Sequence, residues 1–234
     1  MEQKGINFSA IPQTAIKVLT SPAAFFREMP KTGGFIEPLA FALVMGVIGS
    51  LIQAVLGVVG LRFVAGAAMD LASIILLPIF IVIGSFIGAA IMFVIWKILG
   101  SQESFETAYR CGAYITVLSP ILTILGIIPY LGLPIGIVLM TFFIVMASVE
   151  VHNIPSQKAW LVFGIIGALL ILLTVSSEFE ARRVAREATK FQKEMEKASK
   201  EMQKQAEEMQ KQAEEAQKAA EELQKQLQKQ FPAK

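Results

Sequence analysis

The residues that could do chemistry in this chain are few and scattered. Glu150 and His152 stand two apart, close enough for a proton relay or for two ligands of a metal ion. His152 is the single histidine and Cys111 the single cysteine. A zinc site draws on three or four His, Cys or carboxylate ligands, so the pair reads better as a polar turn. One cysteine also excludes an intramolecular disulfide. The chain has no GxSxG, HExxH or P-loop pattern, so no activated serine, zincin helix or phosphate cradle is encoded. The expectation is no catalytic residue, no metal and no cofactor.

A second set of polar residues lies within apolar stretches: Ser50, Gln53, Ser85, Thr116, Ser119 and Thr123, with Thr141 and Ser148 beside them. Facing one interior, they would line a polar path. The plainer reading is hydrogen bonding between packed helices. Glu37, Arg62, Asp70, Lys97, Arg110, Glu150 and Lys158 all fall at expected span ends or in loops. An ionisable group at mid-membrane would be functional by default, and its absence argues against proton-coupled transport.

The elements that must position these residues are apolar and long. Of 234 residues 54% are hydrophobic, and the mean hydropathy is +0.59. Charged residues make up 17%, below the roughly 25% of a soluble domain. Five apolar runs cover about Pro38–Val59, Ser73–Leu99, Tyr109–Ile128, Leu131–Val149 and Ala159–Val175. Each approaches the roughly 20 residues that cross a 30 Å hydrocarbon core; the fifth is the shortest. The spacing predicts an all-α chain: a polytopic transmembrane bundle of about five spans, then a long C-terminal amphipathic, coiled-coil-like helix. The expected divisions are residues 1–34, 35–175 and 176–234. Only Pro129-Tyr130-Leu131-Gly132 separates the third and fourth runs, which predicts a tight hairpin. Pro78 and Pro120 are expected kinks.

Before the first run, Ser21-Pro22 marks a helix start. The helix that follows offers Phe25, Phe26 and Met29 to an apolar surface, either the membrane interface or the end of the bundle itself. Lys4, Lys17, Arg27, Lys31, Lys97, Arg110 and Lys158 fall on one side of the five spans, and Arg62 alone on the other. The positive-inside rule then places the N-terminus in the cytoplasm. Trp96, Tyr109 and Trp160 read as interface anchors on that side. An odd number of spans sends the tail outward, against the local signal of Arg182, Arg183 and Arg186.

The tail is a different material. After residue 175 lie 13 of the 21 Lys and Arg and 12 of the 19 Asp and Glu. Basic and acidic residues interleave, which speaks against nucleic-acid binding. Residues 176–231 contain neither glycine nor proline. Met202, Ala206, Met209, Ala213, Ala216, Ala220, Leu223 and Leu227 alternate at four and three residues, the spacing of a coiled-coil seam. Val184, Ala188, Phe191, Met195 and Ala198 extend it upstream, with a stutter at 202–206. Glu207, Glu214 and Glu221 each precede a lysine by four, pairs that contribute about 0.2–0.5 kcal/mol apiece. Ser177 and Glu180 could open a separate helix as a capping box; one unbroken helix from about Ala159 is the alternative. Small residues also recur at four-residue spacing, as Gly46/Ser50, Gly84/Gly88, Ala108/Gly112, Gly132/Gly136 and Gly164/Ala168, and are expected to pack helices within the subunit.

Three stretches together resemble the Yip1 domain family of small multispanning membrane proteins. They are Val18–Arg27 (VLTSPAAFFR) with Glu37–Leu43 (EPLAFAL), then Phe105–Tyr114 (FETAYRCGAY) leading to Ser119-Pro120, then Ile128–Gly132 (IPYLG). The resemblance spans about residues 15–175 and leaves out the tail. It implies five membrane helices, a cytoplasmic N-terminus and an exterior or lumenal C-terminus. Eukaryotic relatives are associated with vesicle trafficking and Rab GTPases. The short region before the first span points instead to a prokaryotic relative in the cytoplasmic membrane. The expected function is a non-enzymatic scaffold or trafficking-type adaptor, in contact with the lipid bilayer, homo-oligomeric, with a tail for self-pairing or a protein partner. The alternative is an oligomeric pore or lipid-handling protein.

Overall fold

The computed structural model describes residues 8–59 and 71–230. Lys4, Arg62 and Asp70 lie outside the described residues. The chain divides into two compact units, Met1–Ser177 and Glu178–Lys234. The helices are α1 (Ile11–Thr20), α2 (Pro22–Glu28), α3 (Ile36–Val58), α4 (Leu71–Ile98), α5 (Phe105–Ile115), α6 (Ser119–Leu125), α7 (Gly132–Glu150) and α8 (Ser156–Gln230). Phe8–Ala10 and Thr116–Leu118 form 3-10 turns, and no strand occurs among the described residues.

Five segments are long and apolar enough to cross a membrane among the described residues: Ile36–Val58, Ile79–Ile98, Phe105–Leu125, Gly132–Glu150 and Ser156–Glu180. The expected polytopic bundle is what the chain forms. The third span has the lowest mean hydropathy, 1.3, and is the most buried of the five. It is also interrupted: α5 stops at Ile115 and α6 begins at Ser119. Pro120 accounts for the break, because it has no N–H for the Thr116 carbonyl and its ring crowds that oxygen. α4, by contrast, runs on through Pro78.

Packing is set by glycines where helices come close. α3 lies along α6, and α4 along α5. Gly49 lets α3 approach Ser119 and Thr123, and Gly46 faces Ile81. Gly136 faces Leu122, and a Cβ on Gly132 would run into the Leu125 carbonyl across the hairpin. Gly84, Gly88, Gly112 and Gly164 meet open space instead. So Gly46 and Gly132/Gly136 pack within the subunit as expected, whereas Gly84/Gly88 do not. Gly132→Ala is expected to push α6 and α7 apart and cost about 1–3 kcal/mol, the usual range for overpacking. Thermal unfolding in detergent should show a lower midpoint for it and no drop for Gly112→Ala.

Two open alternatives are decided and one local expectation is corrected. α2 is not an interfacial helix: Phe25, Phe26 and Met29 are buried, and α2 packs on α7 at the bundle's end. Phe25 meets Tyr114 edge-on with ring centroids 5.0 Å apart. Trp96 and Tyr109 are not interface anchors but fully buried, while Trp160 remains exposed. Nor does Ser177 cap a new helix. α8 continues through it, and its hydroxyl donates to the Thr174 carbonyl at 2.9 Å.

The second unit is helical, with Val184, Phe191, Met195, Met202 and Met209 all exposed. Glu180–Arg183 and Glu196–Lys200 pair along its surface at 3.5 and 2.6 Å. The side chains of Ala206, Ala213, Ala216, Ala220, Leu223 and Leu227, and the glutamate–lysine pairs from Glu207 on, lie outside those described.

Candidate functional site

The densest polar construction sits at the end of the bundle where α2, the α4–α5 loop and the α7–α8 turn meet. α4 ends there on Gly100, whose φ of +104° suits glycine. Gly100 N–H donates to the Lys97 carbonyl and Ser101 N–H to the Trp96 carbonyl, the paired bonds of a Schellman cap. Lys158 Nζ donates to the Leu99 carbonyl at 2.8 Å, adding a cation where the helix dipole is negative. The cap turns Ser101 back beneath α4.

Ser101 Oγ lies 2.7 Å from His152 Nδ1 and accepts the Glu103 N–H at 3.2 Å. His152 Nε2 faces Cys111 Sγ at 3.9 Å. A neutral ring suits both contacts, with one ring nitrogen donating and the other accepting, since the Ser101 hydroxyl and the Cys111 thiol can each take either role. The imidazole stacks on Trp96 with centroids 4.0 Å apart. Trp96 Nε1 donates to Ser148 Oγ at 2.8 Å, and Ser148 donates in turn to the Ile144 carbonyl. Burial holds the His152 pKa down to about 4; nearby Glu103 opposes this, and Lys31 and Lys97 reinforce it.

A second knot ties the N-terminal segment to α5. Arg110, only 1% exposed, donates to the Gly34 carbonyl at 2.9 Å and to Glu37 Oε2 at 3.3 Å. Its Nε has no hydrogen-bond partner. Arg110 was expected at a span end facing the interface; it is enclosed instead, because the Lys31–Glu37 segment folds over it. Thr107 donates to the Lys31 carbonyl, and Gly34 N–H to Glu106. Ser104 caps α5 by accepting the Thr107 N–H. Lys31 pairs with Glu103 at 2.7 Å and reaches the Val151 carbonyl; Arg27 pairs with Glu150 at 2.8 Å.

The cluster therefore parts Glu150 from His152: one binds Arg27 at the surface, the other turns inward. Among the described residues no group of three or more His, Cys, Asp or Glu could hold a metal. Cys111, His152 and Ser101 resemble a nucleophile with its base, but all three are buried. Their contacts join α4, α5 and the α7–α8 turn, and that is work of positioning.

The candidate path residues are mostly spent locally. Ser50 donates to the Gly46 carbonyl, Thr116 to Ala113 and Thr123 to Ser119. Ser119 lies against Gly49. Ser85 donates to the Val82 carbonyl and also meets the Tyr109 hydroxyl at 3.2 Å, an interhelical bond. Gln53 is on the exposed surface of α3. The structure does not bring the six together. Sequence reasoning missed Ser101 and the Trp96–His152 stack; Gly100 one turn after Trp96 was the signal that the chain doubles back there.

A Yip1 domain model matches residues 16–177. The chain belongs to the Yip1 family. No curated protein and no solved structure matches it. The matched region ends at the residue where the first compact unit ends. Within this Yip1 bundle the stretches that carried the resemblance touch one another: Phe25 and Phe41 both contact Tyr114, and Glu37 pairs with Arg110. The chain is an integral membrane protein of the Yip1 family, and these residues close one end of its helix bundle.

Proposed function

We propose that this Yip1 protein is a non-enzymatic membrane scaffold that self-associates through its helical tail. The observation that carries the reading is the exposed row Val184, Phe191, Met195, Met202 and Met209, spaced by seven, four, seven and seven residues in the part of α8 after residue 175, which has no glycine or proline. An apolar row at coiled-coil spacing is buried by a partner helix. The open side of α4 at Gly84 and Gly88 supports contact between bundles as well, since small residues let helices approach closely. Copies held in one membrane share a high effective concentration, so a weak seam suffices. Hydroxyls bonded to their own helix carbonyls favour this reading over a polar path. The cationic end formed by Lys17, Arg27, Lys31, Lys97 and Lys158 faces the cytoplasm by the positive-inside rule, and five crossings carry the tail to the other side.

The test is the mass of the detergent-solubilised protein by light scattering. Full-length protein is expected to be a defined oligomer. Changing Val184, Phe191, Met195, Met202 and Met209 together to glutamine keeps helix-forming residues and should reduce the mass to that of a smaller species. An unchanged mass removes the tail as the assembly device.

A further inference from the structure

α1 carries two apolar faces, and the bundle covers only one. Ile11 and Val18 are buried with Ala15 packed against the core. Pro12, Ile16 and Leu19 are exposed, Ile16 at 62%, and Phe8 continues their line in the preceding turn. Gln13, Lys17 and Thr20 form a third, polar and exposed row. At about 100° per residue, these rows fall into three adjoining sectors: protein-facing, apolar outward and polar outward. A helix lying on a bundle in water needs two sectors, core and polar. Three are what a helix needs at a line where protein, hydrocarbon and water meet.

The placement of α1 says which phase covers the apolar sector. α1 packs against α5 and the Thr116–Leu118 turn, both inside the third membrane span. It therefore stands beside a span, where the bundle's exterior is apolar: Ile83, Ile87 and Ile91 on α4 and Leu161, Ile165 and Leu169 on α8 are all exposed. The polar sector is placed for water. Lys17 pairs with Glu28 at 2.7 Å, and both side chains are exposed. Beside them an open groove of about 290 Å³ is lined by Gln13, Thr14, Lys17, Phe25, Glu28, Met29 and Pro30.

We propose that α1 is the interfacial helix of this protein, with Phe8, Pro12, Ile16 and Leu19 buried among the lipid acyl chains of the leaflet at the cationic end, and Gln13 and Lys17 in the headgroup water. An amphipathic helix lying in the interface sinks its apolar side about 5–10 Å into the headgroup–acyl boundary. The occupant is lipid, whether or not the tail assembles the protein.

The experiment uses the full chain in phosphatidylcholine vesicles. Ile16→Cys, Leu19→Cys and Gln13→Cys are each labelled with an environment-sensitive fluorophore under native conditions, where the buried Cys111 is out of reach. A lipid carrying a nitroxide high on its acyl chain serves as quencher. Labels at positions 16 and 19 are expected to emit blue-shifted light and to be quenched at least about twofold more than the label at 13, as a shallowly buried face requires. Equal, water-like emission at all three positions overturns the proposal. So does blue-shifted emission at 16 and 19 without lipid quenching, which would put protein there in place of lipid.

Discussion

Trp96→Ala is expected to lower the unfolding free energy of the detergent-solubilised protein by about 3–5 kcal/mol, the range for emptying a buried large aromatic. Trp96 is 0% exposed, stacks on His152 and donates to Ser148. Its removal opens a void and takes away the face on which the imidazole rests. At roughly 2–4 °C per kcal/mol for a chain of this size, the midpoint should fall by around 6–20 °C. Trp96→Phe keeps a ring against His152 and loses the indole bond, so about 1 kcal/mol beyond the packing change is expected. A phenylalanine variant as unstable as the alanine one would mean that the Ser148 bond, and not the stack, holds α4 to α7.

The second large effect is on pH. His152 has a pKa of about 4 in the folded protein, below the ordinary value of 6.5, chiefly because it is buried. The unfolded chain takes up a proton near pH 6.5 that the folded chain refuses. Stability from this group is therefore full above pH 6.5 and is lost as pH falls toward 4, up to about 3 kcal/mol across that window. Below 4 both states are protonated and the loss stops. Carboxylates such as Glu28, held low by Lys17, also titrate in acid, so the comparison has to be with His152→Gln. Reversible unfolding at a series of pH values should show the wild type losing more than the variant between 6.5 and 4. Parallel curves would mean that the imidazole is open to water.

The spans were legible in the sequence because a run of about twenty apolar residues leaves a chain few alternatives to crossing a bilayer. The tail helix was legible because nothing in residues 176–231 breaks a helix. What hydropathy could not resolve was which apolar residues meet lipid and which meet protein. Phe25 and Phe26 look equally suited to either, and the bundle's end claims them. Trp96 beside Lys97 has the pattern of an interface anchor, but the α7–α8 turn folds over it and brings His152 onto its face. Arg110 reads as a span-end charge until the Lys31–Glu37 segment covers it. In each case the deciding neighbour is more than fifty residues away, beyond the reach of any local pattern. α1 shows the converse: its outward apolar row was there to be read, and α2's phenylalanines drew the interfacial reading away from it.

The contact between Arg27 and Glu150 crosses 123 residues of chain, and that between Lys31 and Val151 crosses 120. A ribosome adding about 5–20 residues per second takes roughly 6–25 s to make the partner after the cation. For that interval α2 exists without the α7 surface that buries Phe25, Phe26 and Met29. An early helix thus waits for a late one, and the newborn N-terminus must hold part of a greasy face in reserve until the fourth span has entered the membrane.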